Sequence, residues 1–160
     1  MKFETYLRGF TAFLKLEKSL SDNSVEAYLH DVRMLMKFQQ ARGVDMSPGE
    51  LDLQFFQDFI EWVNKLGMSQ HTQARVISGL KSFYHYLSIE EIIKKNPTEL
   101  LDSPRLTRKL PDTLSLIEID QLIGAIDLSQ PTGHRNRAIL ETLYGCGLRV
   151  TEPLSLRIKD

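Results

Sequence analysis

The sequence predicts an all-α protein, and three observations predict it. Apolar residues recur at steps of three and four in segment after segment, the spacing that gathers one face of a helix, while no stretch alternates as a half-buried strand does. Hydroxyl or acidic residues stand just ahead of these segments and glycines just behind several of them, where helices are capped and stopped. Prolines 97, 104 and 111 then punctuate one stretch and divide the chain. The expected architecture is a bundle of four to five helices over residues 1–105. Residues 106–160 are expected to form a linker and the first helices of a second, truncated domain.

Each element has its own justification. Phe3, Leu7, Phe10 and Leu14 make one face of a first helix, which "SLSDNSVEAY" breaks. Asn23 is expected to cap the second helix, with Glu26 in the capping-box position. That helix should bury Val25, Tyr28, Leu29, Val32, Leu35 and Met36 and stop at Gly43. Asp52 caps a third helix that turns Phe56, Phe59, Ile60 and Val63 inward, with Phe55 and Trp62 also read as core, and Gly67 ends it. Ser69 opens a fourth helix with the inner row Val76, Leu80, Phe83 and Leu87. The following "KKNPTELLDSPRLTRKLPDTLS" carries five basic residues from Lys94 to Lys109 and reads as an exposed linker with one short helical turn. Ser115 and Glu118 form a capping box for a helix through Ile126, and another helix is expected from Thr132 to Tyr144.

Composition narrows the function classes. Lys and Arg number 20 against 21 Asp and Glu, so the net charge of −1 does not by itself announce a nucleic-acid partner. The charge is unevenly spread: an acidic stretch at 44–65 precedes a basic one at 66–109. No apolar run approaches the roughly 18 residues that would span a bilayer. The charge-broken N-terminus reads as an amphipathic helix and not a signal peptide. Cys146 stands alone, which excludes an internal disulfide and makes the cytoplasm the expected compartment. His30, His71, His85 and His134 share no ligand spacing, and there is no phosphate-binding glycine loop or nucleophile elbow. Neither a metal nor a cofactor is expected.

The stretch "SQHTQARVISGLKSFYHYLS", residues 69–88, contains no acidic residue. Opposite its apolar row, at 100° per residue, stand His71, Ala74, Arg75, Ser78, Lys81, Ser82 and His85. Small and hydroxyl side chains permit close approach to a surface, and the cations suit a phosphate backbone. With Thr72 in its first turn, the candidate DNA-binding set is His71, Thr72, Arg75, Ser78, Lys81 and Ser82. Two competing readings are a solvated face that merely lacks acids and a non-enzymatic protein-interaction module docking an acidic partner.

In order along the chain, "LSDNSVEAYLHDV", "MSQHTQARVISGLKSFYHYL", "NPTELLDSPRLTRKLPDTLSLIEIDQLI" and "HRNRAILETLYGCGLRVTEPLSL" together resemble the tyrosine site-specific recombinases of the phage integrase family, specifically the Xer type. The resemblance implies a SAM-like core-binding domain that clamps DNA, followed by the entry to a catalytic domain. It implies that Arg149 contacts the scissile phosphate and that Glu152 helps hold it. Pro153 stands where the family usually has an aliphatic residue and is expected to push Glu152 away from helical dihedrals. None of Tyr6, Tyr28, Tyr84, Tyr86 and Tyr144 matches the family's nucleophile, so the chain is expected to bind DNA without cleaving it. The activity implied for the parent protein is strand exchange through a 3′-phosphotyrosyl intermediate, without metal or cofactor, in chromosome dimer resolution. The implied partners are a double-stranded recombination site, a second recombinase protomer and a cell-division DNA translocase, with no membrane.

Overall fold

The computed structural model describes residues 3–104, 106 and 110–157, and every described element is helical. The chain divides into two compact units, Met1–Arg108 and Lys109–Asp160. Of the five basic residues in the linker, Arg105, Arg108 and Lys109 lie outside the described residues.

The first unit holds four α-helices: α1 (Glu4–Ala12), α2 (Asp22–Ala41), α3 (Leu53–Lys65) and α4 (Gln70–Ile89). Phe3, Leu7, Phe10 and Leu14 are all buried, as their spacing requires. The helix does not run straight through them: Phe13–Glu17 forms a π-helical turn, closed by Lys18 N–H donating to the Phe13 carbonyl at 3.2 Å. The wider turn lets the adjacent Phe13 and Leu14 both reach the core.

Ser21, and not Asn23, caps α2; its hydroxyl accepts the Ser24 N–H, and Asn23 lies exposed inside the first turn. Both residues suit a cap, and the helix starts two residues earlier because Ser21 takes the extended backbone that a cap needs (φ −63°, ψ 155°). Gly43 and Gly67 follow α2 and α3 with φ of 69° and 74°. Asp52 caps α3 by accepting the Phe55 N–H at 2.9 Å, and Ser69 caps α4 by accepting the Thr72 N–H at 3.2 Å.

The core is aromatic where α1, α3 and α4 meet. Phe83 is fully buried and lies against Phe3, Phe10, Tyr84 and Tyr86, with ring centroids 5.1–6.4 Å apart. Val76, Leu80 and Leu87 complete the inner row of α4, and Tyr84 satisfies its buried hydroxyl by donating to the Pro48 carbonyl. The start of the stretch read as an exposed linker packs on this core: Thr98 and Leu101 are buried, and Asn96 fixes the turn by accepting from the Thr98 N–H and hydroxyl. Pro97 marks a real break in helix, and the chain around it folds back onto the core.

The second unit contains α5 (Leu116–Gly124) and α6 (Pro131–Cys146), followed by a single 3₁₀ turn, Pro153–Ser155. The Ser115–Glu118 capping box opens α5, and Pro131 occupies the first turn of α6. Neither helix buries an apolar side chain fully.

Candidate nucleic-acid interface

The site is built on α4 because that helix is both central and one-sided. Its inner residues lock the helix in place, and Gln73 adds polar ties by donating to the Met68 carbonyl at 2.9 Å and to Asn64 Oδ1 at 3.2 Å. The opposite side is left outward: His71, Arg75, Ser78 and His85 are exposed, while Thr72, Lys81 and Ser82 are half-buried. His71, Arg75, Ser78, Lys81 and Ser82 therefore share one helix face that no acid of α4 interrupts, whereas Thr72, nine residues before Lys81 and so on the opposite side of the helix from it, stands apart in the first turn. Thr72 has a local role as well, its hydroxyl lying 3.0 Å from that of the cap Ser69. Among the described residues, Lys81 forms no ion pair.

Arg75 is not a free cation. Its Nη1 lies 2.7 Å from Oδ1 and 2.8 Å from Oδ2 of Asp31 on α2, donating its hydrogen bond to Oδ2, and it reaches the Ala27 carbonyl at 3.4 Å. Asp31 is almost completely buried, and Oδ1 touches the Arg75 cation without an N–H aimed at it. The helices come this close because residue 79 of α4 is glycine: a Cβ there would sit 2.9 Å from the Asp31 Cβ and 3.0 Å from its Cγ. Loss of water around the Asp31 carboxyl raises its pKa above the ordinary carboxylate value, with Arg75 first and His30 second pulling the other way. Sequence reasoning missed Asp31. Its signals were an acid set among the apolar positions of α2, and a glycine one turn after Arg75 with no helix end nearby.

A second arginine lies in the other unit. Gly147 ends α6 in the left-handed conformation (φ 62°), which costs a residue with a side chain much more than glycine. The chain then turns through Arg149–Glu152, closed by the Glu152 N–H on the Arg149 carbonyl at 2.9 Å. Glu152 folds back, accepting the Arg149 N–H on Oε2 at 2.7 Å and meeting Nη1 with Oε1 at 3.4 Å. The expectation that Pro153 displaces Glu152 from helical dihedrals is overturned, since Glu152 has φ −70° and ψ −48°. Two successive turn hydrogen bonds, onto Arg149 and from Ser155, offset the crowding that proline imposes on its predecessor. Arg149 itself is 86% exposed, so this pair orients the side chain and adds little stability.

Among the described residues no cluster of His, Cys, Asp and Glu could hold a metal ion, and no helix is long and apolar enough to cross a membrane.

Fold and site together define a class: an all-helical protein whose first unit closes around its own core and turns an acid-free helix face outward. The chain belongs to the phage integrase family, residues 7–91 matching its N-terminal SAM-like domain. It is 35% identical to the tyrosine recombinase XerD of Staphylococcus haemolyticus over 98% of this chain and 53% of that protein. With the XerD of Pseudomonas putida the identity is 38%, over 93% of this chain and 49% of the relative, and with that of Listeria innocua 34%, over 94% and 51%. The chain spans about half the length of the curated relatives it matches.

Proposed function

We propose that the first unit binds double-stranded DNA through the outer face of α4, as the DNA-clamping part of a site-specific tyrosine recombinase. The observation that carries this reading is the acid-free face itself, in a chain where acids are as common as bases. Phosphate contacts need cations, hydroxyls and close approach, and the outer face of α4 offers Arg75 and Lys81 with Ser78 and Ser82 between them, while Thr72 stands at the helix start. His71 and His85 add donors at either end of the face.

On the same reading Arg149 is the group that meets the scissile phosphate, and Glu152 holds it through the 3.4 Å contact of Oε1 with Nη1. A guanidinium beside a phosphate stabilises charge developing on its oxygens. It supplies no nucleophile. Burial pushes the phenols of Tyr84 and Tyr86 up in pKa, away from the phenolate that attack would need, and Tyr84 is hydrogen-bonded in the core. The parent activity would be cutting and rejoining DNA through a 3′-phosphotyrosyl intermediate, in chromosome dimer resolution in the cytoplasm. A second recombinase protomer and a cell-division translocase would be its partners.

Binding of the chain to a duplex over a salt series tests the reading. Phosphate contacts predict a log affinity that falls linearly and steeply with log salt. Affinity for DNA that is absent, or flat with salt, would leave a protein-interaction module as the better account.

A further inference from the structure

We propose that Asp31 is a positioning residue for DNA binding: its buried carboxylate holds one nitrogen of Arg75 and thereby presents the rest of the guanidinium outward to a phosphate. The inference rests on the reading of α4 given above.

The geometry argues for a fixed pedestal and not a competitor for the arginine. The Asp31 side chain is 2% exposed, whereas that of Arg75 is 44% exposed, so the acid lies beneath and the cation above. Asp31 cannot swing away, because Gly79 of α4 closes directly over it. Both contacts that hold Arg75 run through Nη1, one to Asp31 and one to the Ala27 carbonyl. Among the described residues, Nη2 and Nε have no partner.

The arrangement is a poor one for stability alone. Asp31 Oδ1 is buried with the Arg75 cation 2.7 Å away but no hydrogen bond aimed at it, and His30 Nδ1, at 3.9 Å, is too far to supply one. A well-packed apolar pair at such a site is often as stable as a buried ion pair or more so. What the pair does provide is order. Immobilising a free arginine side chain on binding costs roughly a factor of ten in affinity, and Asp31 removes part of that cost beforehand. Charge alone predicts the opposite sign, since a carboxylate near the interface repels phosphate.

The experiment is a double-mutant cycle on the whole chain, with affinity for a short mixed-sequence DNA duplex read across a salt series. Circular dichroism checks each variant's fold. Asp31→Asn keeps the size of the side chain and removes its charge, and Asp31→Ser replaces it in the cycle if the asparagine variant does not fold. Arg75→Ala should weaken binding and lower the salt slope by about one unit. Asp31→Asn should weaken binding roughly three- to tenfold. In the Arg75→Ala background it should cause no further loss. Asp31→Asn binding as tightly as wild type or more so, while Arg75→Ala weakens binding, would overturn the positioning role and leave the α4 reading standing. Arg75→Ala without effect would remove that arginine from the interface, and this inference with it.

Discussion

The two units are built from the same kind of element but held by different forces. In the first, each of α1 to α4 buries apolar side chains in a shared core, and Phe10, Phe56, Phe59, Phe83 and Tyr84 are wholly enclosed. In the second, α5 and α6 are shaped by local signals: a capping box, a proline in the first turn and a glycine stop. Their large apolar residues stay open, Leu116 and Ile117 among them, and Leu114, Leu122, Leu143 and Val150 line a shallow apolar groove. Local sequence rules thus suffice to place a helix, while only a closed core fixes one face so firmly that the opposite face becomes a defined surface. The α4 face has that backing, and the Arg149 turn relies on a glycine and a carboxylate.

The largest test of this contrast compares matched truncations. Phe83→Ala should cost about 3–5 kcal/mol, because it removes a ring enclosed by four others. Leu143→Ala in α6 should cost about 1 kcal/mol, because that side chain is only partly covered. Urea denaturation followed by circular dichroism measures both, and equal costs would break the contrast.

A smaller effect probes the α2–α4 contact. Alanine is normally better than glycine inside a helix by about 1 kcal/mol. Gly79→Ala should instead destabilise the first unit by about 1–3 kcal/mol, since its methyl group meets the Asp31 side chain. A gain in stability would show that the two helices part easily.

The smallest effect concerns pH. The folded pKa of Asp31 is raised, so its contribution to stability is fully present below the ordinary carboxylate value and is lost as pH rises through the raised one. Asp31→Asn should therefore gain on wild type as pH climbs through the carboxylate range, as measured by urea midpoints. Wild type gaining instead would mean that attraction to Arg75 outweighs the loss of water.

Most of the first unit was legible in the sequence because its signals are local. The apolar rows of α1 and α4, the caps at Asp52 and Ser69, and the stops at Gly43 and Gly67 each lie within a few residues of what they control. Ser21 displaced Asn23 as a cap because two good capping residues compete there, and the backbone decides between them. The folding back of Thr98 and Leu101 was not legible, since it depends on a surface made by residues far away in the chain. Of the candidate interface, the shared outer face of α4 followed from periodicity alone. The tie from Arg75 to Asp31 did not, because 44 residues separate them and only the packing of α2 on α4 brings them together. Pro153 misled for a related reason: a general bias against helical dihedrals was outweighed by two particular hydrogen bonds.

The central claim is that the outer face of α4 meets DNA phosphates, and one measurement addresses it most directly. Affinity for duplex DNA is measured by fluorescence anisotropy over a salt series, for wild type and for a variant carrying Arg75→Ala and Lys81→Ala. If both cations contact phosphates, the double variant binds more weakly and its plot of log affinity against log salt is shallower by about two units. An unchanged affinity with an unchanged slope would contradict the account and place the DNA on another surface of the molecule.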